Sequence, residues 1–163
     1  MQTYINNLID IHINGAIELY ASNIIKRDDY NILLSDLTMI LNRMSDIAIF
    51  LDIGLITSVD KIKVNDLENI LNELFYNVSM LDCTKETARV RMKHRIIPLF
   101  AQLVLSLGFS LTDLREYYFN KFDSNILKLK NEIKNLLEEF DISEIKRATN
   151  ILLDEMIEKA QYE

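Results

Sequence analysis

The sequence contains few of the residues that interrupt regular secondary structure. Its 163 residues include 3 glycines and 1 proline. Because these two residue types mark most turns and breaks, their scarcity predicts long uninterrupted elements. The same scarcity argues against a glycine-rich loop that cradles phosphates. With 1 cysteine and 2 histidines, the chain offers neither a disulfide framework nor enough ligands for an ordinary zinc site.

Positive charge is also in short supply, because the formal net charge is −7. An acidic chain is not expected to bind nucleic acid in general, since the phosphate backbone favours a basic surface. Because Cys83 is the only cysteine, no disulfide framework is expected and a reducing compartment is favoured. Its side chain is predicted to be a small buried apolar residue. We therefore expect a cytoplasmic protein.

Long apolar runs are absent as well. The amino-terminal residues show no basic stretch followed by an apolar run, so no signal peptide is predicted. The most apolar stretch, residues 96–109, is short and contains Pro98 and Gln102. It is therefore predicted to be a core helix rather than a membrane span, and no membrane partner is expected.

Apolar residues recur with a period near 3.6 along almost the whole chain, which predicts an all-α fold. We expect one domain, residues 1–163, built as a bundle of five to six antiparallel helices. The predicted helices run from about Thr3 to Ile25, from Asp28 or Asp29 to about Gly54, from Asn65 to about Met80, from Thr84 to Leu107, from Ser110 to about Phe140 and from Asp141 to about Lys159. Inside the fourth helix, Pro98 predicts a kink or a break.

Three of the predicted helix starts share one pattern, a short polar residue followed three positions later by an acid. This spacing satisfies free backbone N–H groups at the start of a helix. The pairs are Asn65 with Glu68, Ser110 with Asp113 and Asp141 with Glu144.

The stretch YYFNKFDSNILK, residues 117–128, carries polar groups at helical spacing. Tyr118, Lys121, Asn125 and Lys128 advance by three, four and three residues, so a regular helix would place them on one face. Two ammonium groups flanking an amide suit a nucleotide, and a tyrosine ring could stack on a base. The same pattern also fits a solvated helix flank with a half-buried tyrosine.

The longer segment LVLSLGFSLTDLREYYFNKFDSNILK resembles the C-terminal half of the all-α nucleotide pyrophosphohydrolases, especially the dimeric dUTPases, which are related to the MazG group. That family has an apolar helix, a glycine turn and then the pattern Y-x-x-K-N-x-x-N-x-x-R. Tyr118, Lys121, Asn125 and Lys128 fall on four of its positions. Phe122 replaces the first asparagine, and Lys128 replaces an arginine. The second change replaces a guanidinium, which can donate two parallel hydrogen bonds, with a single ammonium group.

A second segment, DLENILNE at residues 66–73, is similar to the E-L-G-E-L-A-N-E segment of that family. Asp66, Asn69 and Glu73 take its acidic positions, and Asn72 takes its asparagine position. The resemblance implies that Asp66 and Glu73 bind magnesium and serve the catalytic step. Hard oxygen ligands of this kind suit that ion. From the residues alone, Asp66 and Glu68 are equally well explained as helix-start residues, with Glu73 solvated.

The third element of the family, an E-x-x-D pair, has no counterpart here. The corresponding positions hold Arg91 and His94, within the basic run Arg89 to Arg95. Without two carboxylates, about half the negative charge of a dinuclear magnesium site is missing. The basic run could hold an anion directly, or it could be a solvated face.

Asp46 resembles the aspartate that precedes an apolar run on a ligand helix of the MazG group, although Arg43 stands at the paired acid position. It could complete a metal cage with Asp66 and Glu73. A buried aspartate paired with Arg43, or with a basic residue of the fourth helix, is the alternative, because unpaired burial of a charge is costly.

The resemblance spans about residues 65–131 and leads to two hypotheses. The first is a magnesium-dependent homodimeric enzyme that cleaves a nucleoside triphosphate, for example dUTP, to the monophosphate and pyrophosphate. The second is a catalytically silent member that senses nucleotides or binds proteins. A homodimer is expected for both, because the family dimerises through its helices and several apolar stripes here are broad.

Overall fold

A computed structural model describes residues 30–52, 54, 61–62, 66–81, 84–124, 127 and 142–160. Its elements are α1 (Tyr30–Phe50), α2 (Leu67–Ser79), α3 (Lys85–Arg91), a π-helical turn (Met92–Ile96), α4 (Ile97–Ser106), α5 (Leu111–Asn120) and α6 (Ile142–Ala160). Within these ranges every element is helical, which confirms the all-α prediction. The predicted first helix, Thr3 to Ile25, lies outside the described residues, as does Cys83.

The helices pack around one apolar core that receives side chains from every described element. α1 packs against α5 and α6, and these two also contact each other. On the other side, α2 packs against α4 and the π-helical turn, while α4 reaches both α5 and α6. α4 therefore connects the α2 side of the molecule to the group formed by α1, α5 and α6.

α1 is the most enclosed helix of the described chain. Every residue from 36 to 48 is buried, although several of them are polar. The buried polar members are Asp36, Thr38, Asn42, Arg43, Ser45 and Asp46. Buried polar groups require hydrogen-bond partners. α1 therefore has to pack against helices that supply such partners.

The helix that contains Pro98 starts as predicted, with Thr84 Oγ1 accepting a hydrogen bond from the Thr87 N–H at 3.2 Å. A π-helical turn, Met92–Ile96, precedes the proline, and the chain stays helical from Lys85 to Ser106 without a break. Proline lacks an N–H, so the regular ladder of hydrogen bonds cannot continue through it. The Ile97 N–H bonds to the Met92 carbonyl, five residues back, as a π-helix requires.

The predicted stop at Gly108 is confirmed by a Schellman motif at the end of α4. The Gly108 N–H donates to the Leu105 carbonyl at 3.1 Å. The Phe109 N–H then reaches back to the Val104 carbonyl at 3.3 Å. Gly108 has φ +90°, a conformation that side chains with a Cβ rarely adopt.

α5 begins as predicted, because Ser110 accepts a hydrogen bond from the Asp113 N–H at 2.9 Å. Its predicted uninterrupted continuation through Lys121 is wrong, although residues 122–124 and 127 are helical again and residues 125–126 and 128–140 lie outside the described part of the chain. The helix ends at Asn120, and Lys121 adopts φ −107° and ψ 11°. Asn120 has low helix propensity, so ending the helix there costs little.

Two other predicted helix starts, those of α2 and α6, agree with the structure to within one residue. α6 occupies the range of the predicted sixth helix. The start of α2 was predicted one residue too early, because Asp66 rather than Asn65 is the capping residue. Both types can cap a helix, and the aspartate side chain is the one that receives the backbone bond.

Within the described ranges, no single helix is long and apolar enough to cross a membrane. One bent pair, Lys85–Ser106 followed by Leu111–Asn120, meets the length and composition requirement together, with an angle of 96° between its halves.

Candidate functional site

Asp66 acts as the N-cap of α2. Its Oδ1 accepts a hydrogen bond from the backbone N–H of Asn69 at 2.9 Å, and its Oδ2 accepts one from Asn69 Nδ2 at 2.7 Å. Both carboxylate oxygens are therefore engaged by the same residue. A magnesium ion at this position would have to compete with these bonds.

The capping role of Asp66 predicts a selective effect on stability. We expect Asp66→Ala to lower the free energy of unfolding by about 1 kcal/mol, because the N-cap acceptor is lost. Asp66→Ser should retain most of the stability, since a serine hydroxyl also caps. Urea unfolding of the two variants measures the difference, and equal losses in both would contradict the capping role.

Glu73 lies two turns into α2 with its side chain exposed. Its backbone carbonyl accepts a hydrogen bond from Asn77 Nδ2 at 2.8 Å. Asn77 Oδ1 in turn accepts one from Arg91 Nη1 at 2.7 Å. This chain of bonds joins α3 to α2 and does not involve the exposed Glu73 carboxylate.

Asp46 lies on α1, where it is buried. Within the described part of the chain, its Oδ2 has no hydrogen-bond donor. Burial raises the pKa of Asp46 from 3.8 to about 7, and the positive charge of Arg43, one turn earlier, lowers it in part. The buried carboxyl therefore holds its proton more tightly than an exposed aspartate does, and a divalent cation would have to displace that proton.

The three acids predicted to bind magnesium do not form one cage. Among the described residues, no group of three or more Asp, Glu, His or Cys side chains lies close enough to hold a metal ion. Asp66 is engaged at a helix start, Glu73 faces outward, and Asp46 is buried on another helix. The assignment of Asp66, Glu73 and Asp46 to magnesium stays a prediction.

A buried polar network joins α1, α5 and α6. The Tyr118 hydroxyl donates to Asn42 Oδ1 at 2.6 Å and lies 3.0 Å from Thr149 Oγ1. Thr149 Oγ1 is also 2.6 Å from Ser45 Oγ, and it donates to the Ile145 carbonyl at 2.8 Å. Each of the three helices therefore supplies at least one member of the network.

Tyr118 is fully buried at the centre of this network. Burial raises the pKa of its hydroxyl above the ordinary value, and the hydrogen bond with Thr149 lowers it in part. The phenol consequently stays protonated and serves as a donor. Its ring also contacts Phe119 and Phe122, at centroid distances of 5.0 and 5.6 Å.

The other residues assigned to nucleotide binding are separated from Tyr118. Lys121 is exposed at the turn that ends α5, while Asn125 and Lys128 lie outside the described residues. The shared face required a regular helix through Lys121, and the turn interrupts it. The assignment of Tyr118, Lys121, Asn125 and Lys128 to a substrate stays a prediction.

The basic run, Arg89 to Arg95, spans the end of α3 and the π-helical turn, and two of its side chains form hydrogen bonds within the chain. Arg89 Nε donates to the Leu51 carbonyl just beyond α1, and Arg91 donates to Asn77. Two of the guanidinium groups thus hold α3 in place. Lys93 is half-buried and Arg95 is exposed, so these two present the remaining charge outward.

Sequence reasoning missed the polar network that connects the three helices. The available signal was the set of polar residues, such as Asn42 and Ser45, inside the otherwise apolar stretch of α1. A helix with polar groups at enclosed positions predicts buried hydrogen bonds. The pattern does not reveal that Tyr118 and Thr149 supply the partners, because they lie 76 and 104 residues away from Asn42 and Ser45.

Comparisons with protein-family models, with curated proteins and with solved structures find no significant match. The resemblance to the all-α nucleotide pyrophosphohydrolases therefore stays a prediction that rests on the motifs at residues 66–73 and 118–128.

Proposed function

We propose that this protein is a catalytically silent helical module that acts by binding another protein. The observation that carries the proposal is the separation of the three predicted metal ligands. Asp66 caps α2, Glu73 points outward from α2, and Asp46 is buried on α1 with a raised pKa. A phosphate-cleaving magnesium site needs several ionised oxygens directed at one point.

Protein binding is favoured over nucleotide sensing by the position of Tyr118. Its ring is enclosed by the core and its hydroxyl is engaged by Asn42 and Thr149. A base could not stack on this ring without disrupting the network. Large apolar side chains on the α2 side are exposed instead, as protein-binding surfaces require.

A direct assay separates this proposal from the hydrolase hypothesis. We expect no pyrophosphate release from a panel of deoxynucleoside triphosphates, with or without magnesium, and no rise in melting temperature on nucleotide addition. Magnesium-dependent turnover that is lost in both Asp66→Ser and Glu73→Gln would overturn the proposal. Asp66→Ser is the informative variant, because it removes the carboxylate while preserving the helix cap.

We further propose that the helices form an antiparallel bundle that pairs as a homodimer. The support is the continuous apolar core shared by all described helices, together with the broad apolar stripes of the sequence. Sedimentation equilibrium over a range of protein concentrations tests the dimer. A mass that remains that of one 19.1 kDa chain would contradict it.

A further inference from the structure

The stretch from Lys85 to Arg95 concentrates positive charge within an acidic protein. It contains five lysine or arginine residues and one acid, Glu86, whereas the whole chain has a formal net charge of −7. The stretch covers α3 and most of the π-helical turn, which continue into α4 without a break. The positive charge is therefore carried by one continuous helical segment.

The pattern of burial shows which side of this segment faces solvent. Ala88, Met92 and Ile96 recur every four residues and are buried in the core. Val90 lies two positions from both Ala88 and Met92, which is roughly half a turn of helix. It is therefore on the side opposite the core, where it is 52% exposed.

Two pairs of basic residues lie on either side of Val90. Arg89 and Lys93 each come one residue after a buried position, and Arg91 and Arg95 each come one residue before the next. The members of each pair are four residues apart, so they are neighbours along the helix. We call Val90 and these four basic residues the basic face.

The two half-buried arginines of the basic face are held by neutral acceptors. Arg89 donates to the Leu51 carbonyl, and Arg91 donates to Asn77 Oδ1 at 2.7 Å. These bonds restrain the two side chains and leave their charge without a counter-ion. Less side-chain freedom is then lost when a ligand binds.

The other two basic side chains lack a neutralising partner among the described residues. Neither Lys93 nor Arg95 forms an ion pair with a described carboxylate. Like charges four residues apart on a helix repel each other, so both pairs of the basic face disfavour folding. A local arrangement that opposes folding is typical of a functional surface, and here a partner of opposite charge would relieve the repulsion.

We propose that the basic face binds a short segment of another protein in which acidic side chains lie on both sides of one bulky apolar residue. This inference rests on the proposed protein-binding function and names the partner by its chemistry. The carboxylates of the partner would meet the two basic pairs, and its apolar side chain would pack on Val90.

The small size of the basic face favours a short segment over an extended polyanion. From Arg89 to Arg95 the helix is about 9 Å long. This length is close to the screening length of about 8 Å at physiological ionic strength. Outside this stretch the chain has an excess of acids. A nucleic-acid duplex or a membrane surface would extend over those acids and be repelled, whereas a short segment would not.

A second copy of this chain carries exposed acids, but in a different arrangement. These acids lie on α2, α5 and α6. The exposed large apolar residues of the described chain other than Val90 are Tyr76, Met80, Leu105 and Leu127. None of them has acids on both sides within four residues along the sequence. Charge complementarity around Val90 therefore favours a segment from another protein.

Binding of defined peptides tests the proposal. The probe is a fluorescein-labelled nine-residue peptide with two glutamates on each side of a central leucine. It is compared with one peptide in which lysine replaces glutamate and with another in which glycine replaces leucine. We expect the full-length protein to bind the probe at least tenfold more tightly than the lysine peptide and at least threefold more tightly than the glycine peptide. Fluorescence anisotropy measures the affinities, which should fall as salt is added.

Variants show whether the peptide occupies this face. We expect Lys93→Glu combined with Arg95→Glu to weaken binding roughly tenfold or more, because like charges would then meet the peptide. The matched control is Lys146→Glu combined with Arg147→Glu, which makes the same change in net charge at exposed positions of α6 and should leave binding within about twofold. Val90→Ser should remove most of the preference for leucine over glycine.

Melting temperatures distinguish a loss of binding from a loss of folding. Lys93→Glu places an acid four residues after Arg89, so a repulsive pair becomes an attractive one. We expect this variant to melt no lower than the wild type although it binds the probe less tightly.

Four outcomes would overturn the proposal. Equal losses in the α6 control would mean that only net charge matters. Equal affinity for the probe and for either comparison peptide would mean that charge or the apolar residue is not recognised. Tighter binding of a labelled DNA duplex or of phosphatidylserine vesicles would make an extended polyanion the ligand. Self-association that is lost in the Lys93 and Arg95 double variant would make a second copy the occupant. None of these outcomes bears on pyrophosphate release, so failure here is distinguishable from failure of the proposed non-catalytic function.

Discussion

Asp46→Asn is expected to stabilise this protein at both pH 5.5 and pH 8.5, and more strongly at pH 8.5. The Asp46 carboxyl is buried, and one of its oxygens has no donor among the described residues. An asparagine occupies the same volume without an ionisable group. The variant therefore removes the cost of burying a charge on α1.

The direction follows from the pKa of Asp46, which is 3.8 for an aspartate in the unfolded chain and about 7 in the folded protein. Because the folded state holds the proton more tightly, protonated Asp46 contributes its full stability below pH 3.8. That contribution is lost as the pH rises through about 7. The full difference corresponds to on the order of 4 kcal/mol, with the attraction of Arg43 already included, and about half of it is lost between pH 5.5 and 8.5.

Urea unfolding at pH 5.5 and 8.5 measures the effect in the wild type, in Asp46→Asn and in Asp123→Asn. The last variant is the matched control, because it makes the same chemical change at an exposed position. Wild type and control should lose stability between the two pH values, and Asp46→Asn should lose markedly less. The same loss in all three proteins would show that another group is responsible.

Tyr118→Phe is the second change with a large expected effect. It should lower the free energy of unfolding by about 1–3 kcal/mol, because Asn42 Oδ1 would be left buried without its donor. The ring and its contacts with Phe119 and Phe122 are retained, so the loss reports on the hydroxyl. Since burial keeps this phenol protonated, the effect should be the same between pH 6 and 9.

Tyr76→Phe is the control for this measurement, because it removes a hydroxyl from an exposed tyrosine and should change stability by less than about 0.5 kcal/mol. A double-mutant cycle with Asn42→Ala then isolates the coupling. We expect Tyr118→Phe to cost less once Asn42 is truncated, because no acceptor is left unpaired. Equal effects of Tyr118→Phe and Tyr76→Phe would exclude a structural role for the network.

The helix starts that sequence patterns predict well are those controlled by neighbouring residues. Thr84 and Ser110 cap their helices through side chains that reach only three positions ahead. The stop at Gly108 is local too, because its conformation requires a residue without a Cβ. In contrast, the turn at Lys121 has no such local signal, and the sequence predicted a continuous helix through it.

The candidate site was predicted less well, for a related reason. Helical spacing placed Asp66 and Glu73 on one face of α2, and both are indeed exposed there. Spacing could not show that Asn69 occupies both Asp66 oxygens, or that Asp46 is enclosed on a different helix. Convergence of side chains from separate helices depends on how those helices pack, which a one-dimensional pattern does not contain.

The sequence by itself determined the all-α class and the helix limits at Thr84, Gly108 and Ser110, because these features depend on backbone hydrogen bonds and side chains within a few residues of one another. Tertiary structure alone decided that Tyr118 is a buried donor between α1 and α6, and that Tyr76, Met80 and Val90 remain outside the core. Both results depend on which surfaces the packed helices cover, and residues far apart in the chain set that outcome together.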